Sequence, residues 1–129
     1  MNDDSQVPYS YLRSTIMKFI EIINEGDSKR LIEMQTDDFT LIDMDGEICV
    51  GKDGWSDYFS VYPNYRIHVK NVLIGGSSIA VIGSTTDSHI SAELEKRETV
   101  LWVAEIKDGL VARWQIYSDI DLVKASLGK

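Results

Sequence analysis

The sequence predicts an α+β fold: a curved antiparallel sheet, shaped as a cone, packed against N-terminal helices. Three observations carry this. Leu12, Ile16, Phe19, Ile20 and Ile23 recur at helical spacing early in the chain. From Phe39 onward, alternation dominates, punctuated by the turn signals Asp45-Gly46, Gly75-Gly76-Ser77 and Lys107-Asp108-Gly109. The last of these lies inside residues 98–119, which read as two strands folded back on each other and carry two of the three tryptophans. A curved sheet closed by helices encloses a hollow unless side chains fill it.

Taken in order, residues 1–8 are polar and frayed, and residues 9–129 form one domain. An amphipathic helix is expected over 9–25, with Pro8 in its first turn and Gly26 at its C-cap. Asp27 or Ser28 then caps a shorter helix ending near Thr36. A strand over 39–44 places Phe39, Leu41 and Asp43 on one face, and Asp45-Gly46 turns it into a second strand over 47–51. Lys52-Asp53-Gly54 opens a short helix holding Trp55, Tyr58 and Phe59, which Tyr62-Pro63-Asn64 breaks. Strands follow over 65–74, from 79 to about 89, and over 99–106, with a polar connection at 89–97. Asp119 is placed to cap a last helical turn, and Ile120, Leu122, Val123 and Leu127 form a terminal segment against the body.

The register of the closing hairpin follows from which residues must share a face. A two-residue Asp-Gly loop sets Trp102 against Gln115 and Ala104 against Arg113, and so mixes polar with apolar side chains on one face. A three-residue loop closed by Gly109 in the left-handed region pairs Ile106 with Leu110, Ala104 with Ala112, Trp102 with Trp114 and Val100 with Ile116. That register makes one face wholly apolar, and it is the one predicted. The opposite face then holds Leu101, Val103, Glu105, Val111, Arg113, Gln115 and Tyr117. Inward-facing Trp102 and Trp114 read either as plain core packing or as ligand contacts.

Composition removes several function classes. A net charge of −8, with no basic stripe, disfavours nucleic acid and anionic membrane surfaces as partners. The single cysteine, Cys49, excludes an intramolecular disulfide and a multi-cysteine metal site, and its place in a strand gives it a small structural apolar role. The acidic N-terminus is not a signal peptide, and no apolar run is long enough to cross a bilayer, so a cytoplasmic protein is expected. His68, on an outer face, and His89, near a strand end, read as surface or hydrogen-bonded structural histidines. No metal, nucleotide or serine-hydrolase motif occurs, and no cofactor is expected.

The stretches Asn24 to Met34 (N-E-G-D-S-K-R-L-I-E-M), Asp37 to Gly46 (D-D-F-T-L-I-D-M-D-G), the G-K-D-G-W run at 51–55 and K-D-G-L-V-A-R-W-Q-I-Y-S-D at 107–119 resemble the nuclear-transport-factor-2-like superfamily, in its SnoaL-like and ketosteroid-isomerase-like branch. The resemblance implies the cone fold and a homodimer, but a fold hosting isomerases, dehydratases, hydrolases, cyclases and noncatalytic modules does not choose a reaction. Asp43 stands where the resemblance places the base of the isomerases, while Phe19 and Trp102 stand at the oxyanion positions that those enzymes fill with a tyrosine and a protonated aspartic acid. Losing one such donor costs on the order of 100-fold to 1000-fold in rate, which argues against steroid isomerisation of the familiar kind. Ser84, Thr86 and Ile116 occupy positions where an epoxide-hydrolase pattern needs charged residues.

The expected site is therefore a cavity for a small, largely apolar organic molecule, lined by Phe19, Leu41, Tyr58, Ser84, Thr86, Trp102, Trp114 and Ile116. Asp43 is either the base of a proton transfer within it or a support for the Asp45-Gly46 turn. The alternative function is a noncatalytic, dimeric ligand-sensing or assembly module. Leu101, Val103, Ile79 and Val81 are expected on the outer sheet face, where a second copy of the chain would cover them.

Overall fold

The structure, a computed structural model, describes residues 8–119. Its elements are α1 (Tyr9–Glu25), α2 (Ser28–Glu33), β1 (Gln35–Ile42), β2 (Ile48–Val50), α3 (Gly54–Val61), β3 (Arg66–Gly75), β4 (Ser78–Thr86), α4 (Ala92–Glu95), β5 (Val100–Lys107) and β6 (Leu110–Ser118). α1 ends as its spacing predicts, at Gly26 in the left-handed region. Asp27 caps α2 by accepting a hydrogen bond from Arg30 N at 3.2 Å. The terminal segment with Ile120, Leu122, Val123 and Leu127 lies outside the described residues, as do residues 1–7.

One six-stranded sheet runs in the order β2-β1-β6-β5-β4-β3. It is mixed rather than wholly antiparallel, because β1 lies parallel to β6. A parallel neighbour needs a long connection, which β2, α3 and β3 to β5 supply. The sheet buries one face against α1, where Leu12, Ile16, Phe19 and Ile23 meet Ile67, Ile79, Val81 and Trp114 in a single core. Asn24 fastens α1 to the edge strand β3 like a peptide unit, its Oδ1 accepting from Ile67 N at 2.7 Å and its Nδ2 donating to Ile67 O at 3.0 Å. This satisfies one pair of backbone groups that an edge strand otherwise leaves open.

The β5–β6 hairpin corrects the predicted register. Lys107 pairs with Leu110, so the loop has two residues, Asp108 at φ 53° and Gly109 at φ 78°. Both angles are positive, the requirement that makes Asp-Gly a favoured hairpin pair. A register shift then sets Ile106 opposite Val111 but Glu105 opposite Arg113, leaving Ala112 as an extra residue. Beyond it, Ala104 faces Trp114 and Trp102 faces Ile116. The bulge moves the inward set from odd to even positions, so Val111, expected outside, is fully buried together with Trp114.

β4 also departs from expectation. Val81 pairs with Trp102 and Ile79 with Ala104, and residues directly opposite share a face. Ile79, Val81 and Thr85 therefore point inward and are buried, whereas Ala80, Ile82, Ser84 and Thr86 point outward. The expectation that Ile79 and Val81 form the outer face is corrected accordingly. The connection at 89–97 contains α4, which the sequence reading missed. Its N-cap, Ser91, accepts from Leu94 N at 3.4 Å.

Candidate functional site

A cavity of about 460 Å³ opens between β1, β2, α3 and the inner face of the sheet. Its walls are mainly Phe39, Leu41, Trp55, Val100, Trp102, Trp114 and Ile116, so all three tryptophans line it. The rings support one another. Trp102 stacks on Trp114 at 6.1 Å and 23°, and Trp55 stacks on Phe59 at 5.7 Å. Trp55 is held from outside the cavity, because its Nε1 donates to Gln35 Oε1 at 2.7 Å while Gln35 Nε2 donates to Lys52 O at 3.1 Å. The Trp102 and Trp114 indole N–H groups are buried in the wall with no acceptor among the described residues.

Leu41, Asp43, Tyr58, Trp102, Trp114 and Ile116 are brought together around this space. Phe19 is not. It is fully buried behind the wall, 5.2 Å from Trp114 and 6.1 Å from Trp55, and acts as core. Ser84 and Thr86 lie on the other side of the sheet by the parity of β4, and Thr86 Oγ1 sits 2.9 Å from His68 Nε2. Thr85 takes their place in the lining. The signal for Thr85 was the Val81 to Trp102 pairing, which fixes the face of the whole strand. Cys49, expected to be structural and apolar, is exposed on the short edge strand β2 at the cavity rim.

Asp43 follows β1 directly. Its Oδ1 accepts from Asp45 N and Glu47 N, each at 2.9 Å, and the backbone closes the same turn through Asp43 N to Glu47 O and Gly46 N to Asp43 O. One carboxylate oxygen thus stabilises the turn, while Oδ2 makes no hydrogen bond among the described residues. Asp119, expected as a helix cap, accepts from Thr99 N at 2.8 Å and ties β6 to the start of β5. The helical turn it was expected to cap lies outside the described residues.

The polar end of the cavity is built from Tyr58, Tyr65, Thr85, Ser88 and His89. Tyr58 Oη lies 3.0 Å from His89 Nδ1 and accepts from His89 N at 3.2 Å. Behind them Glu95 Oε2 accepts from Thr85 Oγ1 at 2.8 Å, Ser88 N at 3.1 Å and Ser88 Oγ at 2.5 Å. A buried carboxylate with three donors is the kind of polar network that holds one geometry. Burial pushes the Tyr58 phenol up to about 12, opposed by the His89 N–H and reinforced by Tyr62 and Glu95. Burial raises Tyr65 still further, with Tyr58, Glu95 and Glu98 adding to it; the Trp102 indole pulls the other way from outside hydrogen-bond geometry. Both hydroxyls therefore keep their protons at neutral pH. Sequence reasoning assigned His89 a surface or hydrogen-bonded structural role and singled out neither Ser88 nor Glu95, because nothing local shows that this loop folds back over α3.

Among the described residues, no group of three or more histidine, cysteine, aspartate or glutamate side chains is placed to hold a metal ion. No helix there is long and apolar enough to cross a membrane.

An open mixed sheet with helices on one face, hollowed at one end, is the architecture of the nuclear-transport-factor-2-like proteins. Within it the chain belongs to the SnoaL-like domain family, which matches residues 16–114. Solved structures agree on the fold. A protein from a soil-derived mobile gene cassette is similar at TM-score 0.73 and 15% identity, over 88% of this chain and 92% of that one. A candidate SnoaL-like polyketide cyclase from Shewanella putrefaciens is similar at TM-score 0.71 and 14% identity, over 95% and 88%. A candidate ketosteroid isomerase from Kribbella flavida is similar at TM-score 0.68 and 19% identity, over 84% and 78%. No curated protein matches the chain.

Proposed function

We propose that this SnoaL-like domain binds a small, largely apolar organic molecule in the cavity beneath β1 and α3. The observation that carries the reading is the space itself: about 460 Å³, walled by three tryptophans and aliphatic side chains with a few convergent polar groups. Binding sites for small organic ligands fall in this size range and have this composition. The neighbours named for polyketide and ketosteroid chemistry support a ligand of the same general character. Asp43 is the base of a proton transfer or isomerisation in this reading, acting through Oδ2 while Oδ1 anchors the turn. A noncatalytic, ligand-sensing or assembly role is the second reading, and it is favoured by the two backbone N–H groups already gathered on Asp43.

Two measurements separate these readings. Tryptophan fluorescence titrated with a panel of hydrophobic ketones reports binding, since every tryptophan lines the cavity. Deuterium exchange at the carbon beside the ketone reports the base. Asp43→Asn keeps an acceptor for the turn, so binding and folding survive while exchange is lost. Exchange no faster with the native chain than with buffer, for every ketone that binds, removes Asp43 as a base.

A homodimer through the outer sheet face is part of the proposal. Ala80, Ile82, Leu101 and Val103 are half-buried there beside the more exposed Leu73 and Tyr117. A two-fold contact covers such a patch. Sedimentation at micromolar concentration is expected to give a dimer, and Val103→Glu a monomer. A native chain that sediments as a monomer rejects the contact.

A further inference from the structure

We infer that His89 controls whether Tyr58 donates a hydrogen bond to a molecule in the cavity, so that neutral ligands bearing a carbonyl acceptor bind more tightly when His89 is protonated. This rests on the cavity being a ligand site and adds which ligand chemistry it selects.

Tyr58 Oη lies within hydrogen-bond reach of two nitrogens of the same residue, Nδ1 at 3.0 Å and the backbone N at 3.2 Å. The backbone group is always a donor. A phenol has one proton to give and lone pairs to receive, so the role of Nδ1 decides where that proton points. With the imidazole neutral and Nδ1 bare, Tyr58 donates to Nδ1 and has nothing left for a ligand. Protonation puts a hydrogen on Nδ1, which then donates to Oη. The hydroxyl proton must turn away, and both residues line the cavity. Receiving a charge-assisted hydrogen bond also makes the phenol a stronger donor.

The surroundings hold this arrangement in place. Tyr58 packs edge-on against the His89 ring at 5.8 Å and against Tyr65 at 5.1 Å. From α3, Tyr62 also faces His89, with ring centroids 6.2 Å apart. α4 presents Glu95, bonded to Ser88 next in sequence, and the loop itself adds Asp87. Asp43, Asp45 and Asp53 line the same cavity from the β1–β2 turn and the start of α3. Carboxylates ordinarily titrate below pH 5 and phenols near 10, so histidine is the side chain whose charge changes between. The chain has two histidines, and the other, His68, is bonded to Thr86 on the far side of the sheet.

The test uses two isosteric probes, 4-tert-butylcyclohexanone and its methylene analogue, in which C=CH2 replaces C=O. Each is titrated into the full chain at about pH 5.5 and about pH 8, with tryptophan fluorescence as readout. The ketone is expected to bind roughly threefold to tenfold more tightly at the lower pH, the range one net hydrogen bond supports. The methylene analogue is expected to bind equally at both. Tyr58→Phe and His89→Gln should each abolish the pH dependence, and the ketone should in turn raise the His89 titration midpoint measured by NMR. Ketone affinity independent of pH, or a dependence that persists in Tyr58→Phe, overturns the inference. If neither probe binds at either pH, the cavity reading itself fails for such ligands, and this inference falls with it.

Discussion

Gln35 is a buried amide that fixes one wall of the cavity. It is 1% exposed, and it joins Trp55 Nε1 on α3 to Lys52 O at the start of the same segment. Gln35→Leu keeps the bulk and removes both partners, leaving a buried indole N–H unsatisfied. A loss of about 1–3 kcal/mol in stability is expected, read from the urea midpoint, together with a red shift in tryptophan emission as Trp55 loosens. Nothing in the sequence marks Gln35, because a glutamine between a helix end and an acidic run looks like any surface residue. Asp43 was easier to place. Alternation from Phe39 through Leu41 brings it toward the hollow, and Asp45-Gly46 brings it to a turn; the structure has it at both, lining the cavity and capping two backbone N–H groups. Phe19 was placed on the correct face of α1, but only packing depth decided that Trp114 and Trp55 stand between it and the space.

The β5–β6 hairpin carries the cavity because one inserted residue keeps two tryptophans on one side. Asp108-Gly109 favours a two-residue loop, the inward set of β6 demands a different parity, and Ala112 reconciles them as a bulge. Deleting Ala112 removes only the extra residue and leaves Arg113 opposite Glu105, Trp114 opposite Ala104 and Ile116 opposite Trp102, so the shortened chain should still unfold cooperatively. Ala112→Gly keeps the bulge and should cost less than about 1 kcal/mol. Circular dichroism melts of the two variants check this, and a deletion that loses its cooperative transition rejects this account. The sequence contained both halves of the conflict, but a bulge is one way among several of resolving it. β4 shows a similar limit. Its alternation from Ile79 to Thr86 is plain, yet both faces carry aliphatic residues, so only pairing with β5 chose Thr85 over Ser84 and Thr86 for the cavity.

At the scale of the whole molecule, the two phenols at the polar end of the cavity make stability depend on alkaline pH. Both Tyr58 and Tyr65 have folded values raised above the ordinary 10.0, so the folded state disfavours their ionisation. Their contribution is intact below about pH 10, where the unfolded chain keeps its phenols protonated. It is lost as pH rises through the folded value of Tyr58, about 12. The urea midpoint should therefore fall between about pH 9 and about pH 11 more steeply in the native chain than in Tyr58→Phe or Tyr65→Phe. Equal slopes in all three chains would show that neither phenol is held neutral by the fold.

Local order in the chain determined most of the element types, the excess of acidic charge and the inward-facing tryptophan pair of the closing hairpin, because periodicity, turn chemistry and charge act between near neighbours. Which way β1 runs beside β6, which face of β4 looks inward, and how His89, Ser88 and Glu95 meet Tyr58 were decided only by the tertiary structure. Those choices join residues tens of positions apart, and they are set by how whole faces pack, a quantity to which no single stretch of the sequence has access.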